Sequence, residues 1–469
     1  MHTSTTSTVP LVSWTAAQLL EATQGYWLND QAPNTEIKRI LTDSRDAEAG
    51  DAFLALKGER FDAHAFITQV AEQGCQVAIV SRPIDAEICQ LVVPDTRLAL
   101  GQLGAYRRAQ NPQLKVIALT GSSGKTTTKE MLGSILSRIA PTLVTRGNLN
   151  NDLGVPVMLL ELRPEHQYAV MELGASHQGE IDYTSNLVQP LVAGIINIGT
   201  AHLGEFGGRD GICRAKSEIY AHIAPNGTSI VPAADDFADS IRQAVQTEQV
   251  LSFGAGGEIF ATEIELQAQS ATFKLNTPQG VRQVNLPFAG EHNVQNATAA
   301  AAFALAIGIS LDDIVLGLEQ AVGAKGRLNF IQQGRHLLID DTYNANPTSM
   351  RAAAEVLAQQ EGVRVMVMGD IGELGSSAAQ QHYMLGRDLV SVKGLNFVVA
   401  VGEFAPAAQE GARSTQYGKK MQAFLTQEQA LPFLLSLIET HQPQSMSFLF
   451  KGSRYTHMET LMADLMEKL

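Results

Sequence analysis

Positive charge is in short supply in this sequence. Lys and Arg number 34 against 48 Asp and Glu, for a net charge of −14. That balance excludes a nucleic-acid-binding surface spread over the whole chain, and no nucleic-acid partner is expected. It leaves room for small anionic ligands, because a few cationic side chains and backbone N–H groups can build a local pocket. Sulfur is also sparse. Cys75, Cys89 and Cys213 are odd in number and lack metal-ligand spacing, so reduced thiols in a cytoplasmic protein are the simplest reading. Residues 1–14 have neither a basic start nor a long apolar run, so no signal peptide is expected there. The longest apolar stretch, 296–311, is mostly Ala and is interrupted by Thr298 and Gly308. It suits a packed helix rather than a membrane span, and no membrane insertion is expected. Internal repeats and low-complexity segments are missing as well.

What is present is length and alternation. With 469 residues, 45% of them hydrophobic, the chain can bury the cores of roughly three domains. Strand and helix patterns alternate, which predicts α/β layers. Residues 51–57 and 76–81 read as strands, with a helix over 61–74 between them. A helix over 97–109 ends before Asn111-Pro112, and a new unit opens with the strand 116–120. Helices over 293–308 and 310–321 precede a Gly-rich loop at 323–327. Strands are then expected at 336–340, 363–368, 397–401 and 447–450, with a helix over 349–360. Residues 259–286 alternate apolar and polar positions and predict appended hairpins. The expected division is 1–111, 112–327 and 328–469, with parallel sheets in the second and third parts.

The strongest local signal is Thr120-Gly121-Ser122-Ser123-Gly124-Lys125-Thr126-Thr127, between an apolar strand and a helix over 127–139. Glycines let backbone N–H groups face a phosphate, Lys125 adds a compact charge, and Thr126 offers a hydroxyl to Mg²⁺. The usual loop has four residues between its first glycine and the Gly-Lys pair, which would put that glycine where Leu119 stands, so this is a shortened or variant loop. No Asn-Lys-x-Asp base-reading motif accompanies it, so a switch GTPase is disfavoured.

Three further residues could serve a metal. Glu172 ends the expected strand 168–172, and ligands gather at the carboxyl ends of strands in open α/β sheets. A carboxylate there suits Mg²⁺, which prefers oxygen ligands. His202 follows the strand 191–198 and is a metal ligand, a phosphate contact or a structural histidine. Lys216 lies four after Ile212 and three before Ile219, on the apolar face of a helix expected over 211–224. It either snorkels with a wet tip or is desolvated with altered chemistry.

Together these motifs resemble the Mur ligase family along essentially the whole chain. The short phosphate loop, Glu172, His202 and Arg214-Ala-Lys216 match. So do Gly290-Glu-His-Asn293-Val-Gln-Asn296, Gly326-Arg327 and Asp340-Asp-Thr-Tyr-Asn-Ala-Asn-Pro347. Among its members, those that add D-alanyl-D-alanine are most similar. That likeness rests on segments 56–64, 147–156, 172–180, 368–375 and 451–454. The Asp-Asn-Pro-Arg signature of the diaminopimelate-adding sibling is missing.

The resemblance implies an α/β fold of three domains. These are a small UDP-binding N-terminal domain, a central P-loop ATPase-like parallel-sheet domain and a C-terminal Rossmann-like domain. It implies ATP and Mg²⁺ as cofactors, with UDP-N-acetylmuramoyl-tripeptide and D-alanyl-D-alanine as substrates of a monomeric enzyme. Lys125 and Thr126 would bind phosphates and Mg²⁺, and Glu172, His202 and a carbamylated Lys216 would serve the metal. Asn293 and Asn296 would lie near the adenine, Arg327 near the γ-phosphate and Asp341 near the ribose. Ser44, Arg45, Lys57 and Gly58 would hold UDP, and Asn148, Asn150 and Asn151 would face the muramoyl-peptide. Tyr343, Asn344 and Asn346 would line the dipeptide site. The rival readings are another amide ligase, such as a folate polyglutamate synthetase, and a nucleotide-dependent binding protein.

Overall fold

A computed structural model describes residues 12–58, 61–199 and 203–469, without the side chains of Leu203 and Gly204. The chain forms two compact units. One takes the described residues of 1–118 together with 140–174 and 180–190; the other takes 119–139, 175–179 and the described residues of 191–469.

In the first unit, five short strands form a sheet in the order Tyr26–Trp27, Cys89–Val92, Val77–Val80, Ala52–Leu54, Ile40–Leu41. The first pair is antiparallel and the rest are parallel. Alternate residues supply two cores. Leu54, Val77, Ile79 and Leu91 face one side, and Phe53, Ala78, Val80 and Val92 the other. This is the period-2 burial of a sheet covered on both faces. The helix Thr96–Ala109 then packs on the helices Gly154–Leu160 and Glu180–Val188. Its small positions make that approach possible. A Cβ on Gly104 would lie 3.0 Å from the Pro156 Cα, and one on Gly101 would overlap the Tyr183 hydroxyl. Strands Thr142–Val144 and Tyr168–Glu172 pair in parallel in the same unit.

In the second unit, Val192–Ile195, Thr228–Pro232 and Gln249–Phe253 pair in parallel. The alternating region expected as hairpins is a three-stranded antiparallel sheet, Phe260–Leu266, Ala271–Thr277 and Gly280–Leu286. The C-terminal part is a six-stranded sheet. Its order is Asn329–Gln333, His336–Asp340, Met446–Lys451, Val363–Gly369, Phe397–Val401, Met421–Phe424. Only the first pair is antiparallel. Here too the faces alternate, with Ile339, Met366 and Leu449 in one core and Leu338, Val365, Val367 and Phe448 in the other.

Some elements differ from expectation. The strand expected over 51–57 is only Ala52–Leu54. The helix expected from 61 begins as a 3₁₀ turn, Ala63–Phe66, because Asp62 caps the His64 N–H, and becomes α-helical only over Ile67–Glu72. The helix around Lys216 spans Arg209–Ser217 and tightens into a 3₁₀ turn, Glu218–Tyr220. It thus stops short of the expected end at 224, the residue before Pro225.

Candidate active site

The phosphate loop sits between the strand Lys115–Thr120 and the helix Lys125–Ser137. Gly124 caps the helix with φ +77° and supplies no side chain, so the first-turn N–H groups remain open to an anion. A Cβ at Gly124 would also meet the Asn296 Oδ1 at 2.2 Å, so only glycine fits. The Lys125 ammonium donates to the Gly121 carbonyl at 2.8 Å. The hydroxyls of Thr120, Ser122 and Thr128 are buried and make no hydrogen bond among the described residues.

Asn197, which carries no motif of its own, braces this loop. Its carbonyl accepts from the Ser122 N–H at 3.1 Å, its Oδ1 accepts from the Ser123 N–H at 3.0 Å, and its Nδ2 donates to the Ser123 carbonyl at 3.0 Å. Only its place just past the strand Val192–Ile195 hinted at it. Asn293 and Asn296 are buried and linked, Asn296 Nδ2 donating to Asn293 Oδ1 at 3.1 Å and Asn293 Nδ2 to the Ala289 carbonyl at 2.8 Å. The Asn296 side chain also lies against the phosphate loop at Gly124.

The segment 326–346 meets the loop from another side. The Arg327 guanidinium lies 4.3 Å over the Tyr343 ring, and its Nη2 donates to the Thr126 hydroxyl at 3.5 Å. Its Nε is buried and has no hydrogen-bond partner among the described residues. Asn346 caps the helix Pro347–Ala358, and its Nδ2 donates to the Ser122 carbonyl at 3.5 Å. Asp341 is buried and accepts from the Lys451 ammonium at 2.7 Å, while Lys451 also donates to the Asn344 carbonyl at 3.0 Å. Lys451 stands in a matched segment, yet no role was expected for it. Nearby, burial pushes the His292 imidazole down to about 4, against the pull of Asp341.

Lys216 is 2% exposed, between the buried Ile212 and Ile219, which removes the wet-tip alternative. Its helix is anchored at the start, where Arg209 pairs with Asp236 at 2.6 Å and donates to the Ile198 carbonyl at 2.7 Å. Thr127 lies in the first turn of the phosphate-loop helix. His202 falls outside the described residues.

In the other unit, Glu172 is 1% exposed at the end of its strand. Its Oε1 accepts from the Asn150 Nδ2 at 2.7 Å, its N–H donates to the Thr145 hydroxyl at 3.0 Å, and its buried Oε2 has no hydrogen-bond partner among the described residues. Asn150 thus spends its amide on Glu172, and Asn151 accepts from the Gly154 N–H at 2.8 Å, capping a turn. Asn148 is exposed. Ser44 and Arg45 lie in the 3₁₀ turn Ser44–Asp46. Arg45 is exposed and grips Asp43, which holds that carboxyl down at about 2. Lys57 and Gly58 are exposed, and the Gly58 N–H donates to the Phe61 carbonyl at 2.8 Å.

Among the described residues, no three His, Cys, Asp or Glu side chains gather as a metal site of their own. No helix there is long and apolar enough to cross a membrane.

Comparison with known proteins gives three family matches in chain order. These are the Mur ligase family catalytic domain over 36–118, the Mur ligase middle domain over 119–304 and the Mur ligase glutamate ligase domain over 326–454. The UDP-N-acetylmuramoyl-tripeptide–D-alanyl-D-alanine ligase of Escherichia coli is 41% identical, over 97% of this chain and 99% of its own. A crystal structure of MurF from Acinetobacter baumannii is 76% identical with TM-score 0.95, covering 98% of this chain and all of that one (100%). The MurF ligase of Thermotoga maritima, solved in complex with ADP, is 26% identical with TM-score 0.80, over 92% of this chain and 97% of that one. The likeness runs through all three matched regions instead of stopping at the phosphate loop, and on that ground the chain belongs to the Mur ligase family.

Proposed function

We propose that this chain is an ATP-dependent ligase that joins D-alanyl-D-alanine to UDP-N-acetylmuramoyl-tripeptide in peptidoglycan precursor synthesis. One observation carries the reading: relatives bearing that activity in their names match nearly the whole chain, not only the nucleotide-binding part. The domain divisions near 111/112 and 327/328 belong to the same reading and are supported by the three matched ranges. So do a cytoplasmic setting and a monomeric enzyme.

A carboxylate is a poor electrophile, so the tripeptide carboxylate first attacks the γ-phosphorus of ATP. ADP leaves and an acyl phosphate remains. The dipeptide amine then adds to the acyl carbon, giving a tetrahedral intermediate. Inorganic phosphate departs with its oxygen, the nitrogen loses its proton, and the amide is left. Lys125 and the N–H groups of 121–127 hold the phosphates, and Arg327 offsets charge on the transferring group. Asp341 accepts a ribose hydroxyl, while Asn293 and Asn296 shape the nucleotide pocket toward the adenine. Ser44, Arg45, Lys57 and Gly58 take UDP. Asn148, Asn150 and Asn151 serve the muramoyl-peptide side, with Asn150 acting through Glu172. Tyr343, Asn344 and Asn346 receive the dipeptide.

The residues present fit Mg²⁺, since among the described residues the buried Glu172 Oε2 has no hydrogen-bond partner and a carboxylate oxygen so placed suits a hard cation. Thr126, Glu172, His202 and Lys216 would hold the ion, which when bound offsets phosphate charge. Burial of Lys216 favours the neutral amine, the form that adds CO₂ to give a carbamate as a proton leaves the nitrogen. The carbamate reverses the charge and offers oxygen ligands.

Incubation with ATP, Mg²⁺, UDP-N-acetylmuramoyl-tripeptide and D-alanyl-D-alanine, followed by mass spectrometry, tests the reading. The expected product is the pentapeptide nucleotide with one ADP released per amide. ATP binding without amide formation would instead indicate a binding protein, and amide formation with other acceptors alone would indicate another ligase.

A further inference from the structure

Lys451 ends the strand Met446–Lys451, which lies between His336–Asp340 and Val363–Gly369 with both pairings parallel. Its side chain therefore emerges at the carboxyl edge of the sheet, where ligands collect in folds of this kind. It is 2% exposed, so its ammonium meets protein and not water. Such a charge is costly to bury unless it is paired and hydrogen-bonded. Two acceptors meet it, the Asp341 Oδ2 at 2.7 Å and the Asn344 carbonyl at 3.0 Å. Asp341 is fixed a second way, its N–H donating to the Phe450 carbonyl at 3.0 Å. No hydrogen bond occupies the Asp341 Oδ1 among the described residues. The bond to Asn344 also fixes the chain between two functional side chains. On one side is Tyr343, the platform under Arg327; on the other is Asn346, which reaches Ser122. Burial pushes the Lys451 amine down and Asp341 pulls it up, with Arg327 opposing and His292 also facing the pair.

We propose that Lys451 is a positioning residue for the nucleotide: its ammonium clamps Asp341 Oδ2 and the Asn344 carbonyl so that Asp341 Oδ1 is presented to a ribose hydroxyl. The inference rests on the assignment of Asp341 to the ribose in the reading above. A plain structural ion pair would support stability alone. The clamp makes a narrower demand, that loss of Lys451 erase the enzyme's sensitivity to the ribose hydroxyls.

The test compares ATP with 2′-deoxy-ATP and 3′-deoxy-ATP in the full-length enzyme, following ADP release, with KM and kcat separated. The unmodified enzyme is expected to prefer ATP over at least one analogue by about tenfold in kcat/KM, the scale of one lost hydrogen bond to a charged group. Lys451→Gln should raise KM for ATP about tenfold and reduce that preference to within about twofold, with KM for the UDP-substrate little changed. A folded Lys451→Gln enzyme that keeps the preference overturns the proposal. Should that variant not fold, Lys451→Arg retains the charge but displaces the donor, and it should lose most of the preference. Full preference in Lys451→Arg, or failure of both variants to fold, returns Lys451 to a structural role and also overturns the proposal. An unmodified enzyme with no preference removes the Asp341 assignment and this inference with it, while amide formation is judged separately by its product.

Discussion

Lys125 is held over its own loop by the Gly121 carbonyl, which places its charge where phosphates would arrive. Lys125→Ala is expected to lower kcat by about 100-fold or more, because the contact gains strength as charge shifts in the transition state. Its unfolding transition should stay near that of the unmodified protein, and near-normal turnover in a folded variant would remove Lys125 from the chemistry. Lys216 makes a different demand. Lys216→Ala should be nearly inactive and partly restored by short carboxylates in solution. Lys216→Arg should stay inactive, since a guanidinium remains charged and forms no carbamate. An active Lys216→Arg enzyme would rule the carbamate out. His292 sets a pH dependence. Its ordinary value of 6.5 is depressed to about 4 in the fold, so the unfolded chain takes up the proton first as pH falls. Stability from the neutral imidazole is therefore complete above about 6.5 and is lost on descent toward 4. Thermal melts across this window should show that slope, and His292→Gln should flatten it; an unchanged slope would locate the acid sensitivity elsewhere.

At the scale of elements, close helix approach in the first unit depends on missing side chains. A Cβ added at Gly104 would lie 3.0 Å from the Pro156 Cα and 3.1 Å from its carbonyl oxygen, both backbone atoms with little freedom to retreat. Gly104→Val should cost about 1–3 kcal/mol by overpacking. Urea unfolding of the purified protein would show it as a lower midpoint, and an unmoved midpoint would mean that the helices part easily. The phosphate loop is built by the same economy of side chains, with Gly124 admitting Asn296 and Asn197 holding Ser122 and Ser123. In the C-terminal sheet, strand periodicity was legible because every second residue enters a different core. Helix ends were less legible, since Asp62 acts through capping and not through hydrophobic period.

For the molecule as a whole, the residues assigned to UDP and the muramoyl-peptide all lie in one compact unit, and those assigned to the nucleotide and dipeptide in the other. That separation predicts separable defects. Arg327→Ala should reduce kcat/KM for ATP by about tenfold or more, as expected for a charge-assisted contact to phosphate. Its affinity for UDP-substrate, measured by calorimetry without ATP, should remain within about twofold. An equal loss of UDP-substrate affinity would place Arg327 in the UDP site or in support of the fold.

The order of residues alone determined the short phosphate loop, the carboxylate at the end of a strand and the lysine on an apolar helix face. Each depends on spacing within one or two neighbouring elements, and strand and helix periods make such spacing readable. Tertiary structure decided the partners. Asn197 is 74 residues from Ser123, Lys451 is 110 from Asp341, and Arg327 is 201 from Thr126. Whether such residues meet depends on strand order and crossover connections, which no local pattern encodes. The same holds for Asn150, legible as one of several asparagines in a loop and revealed only by the fold as the residue that holds Glu172.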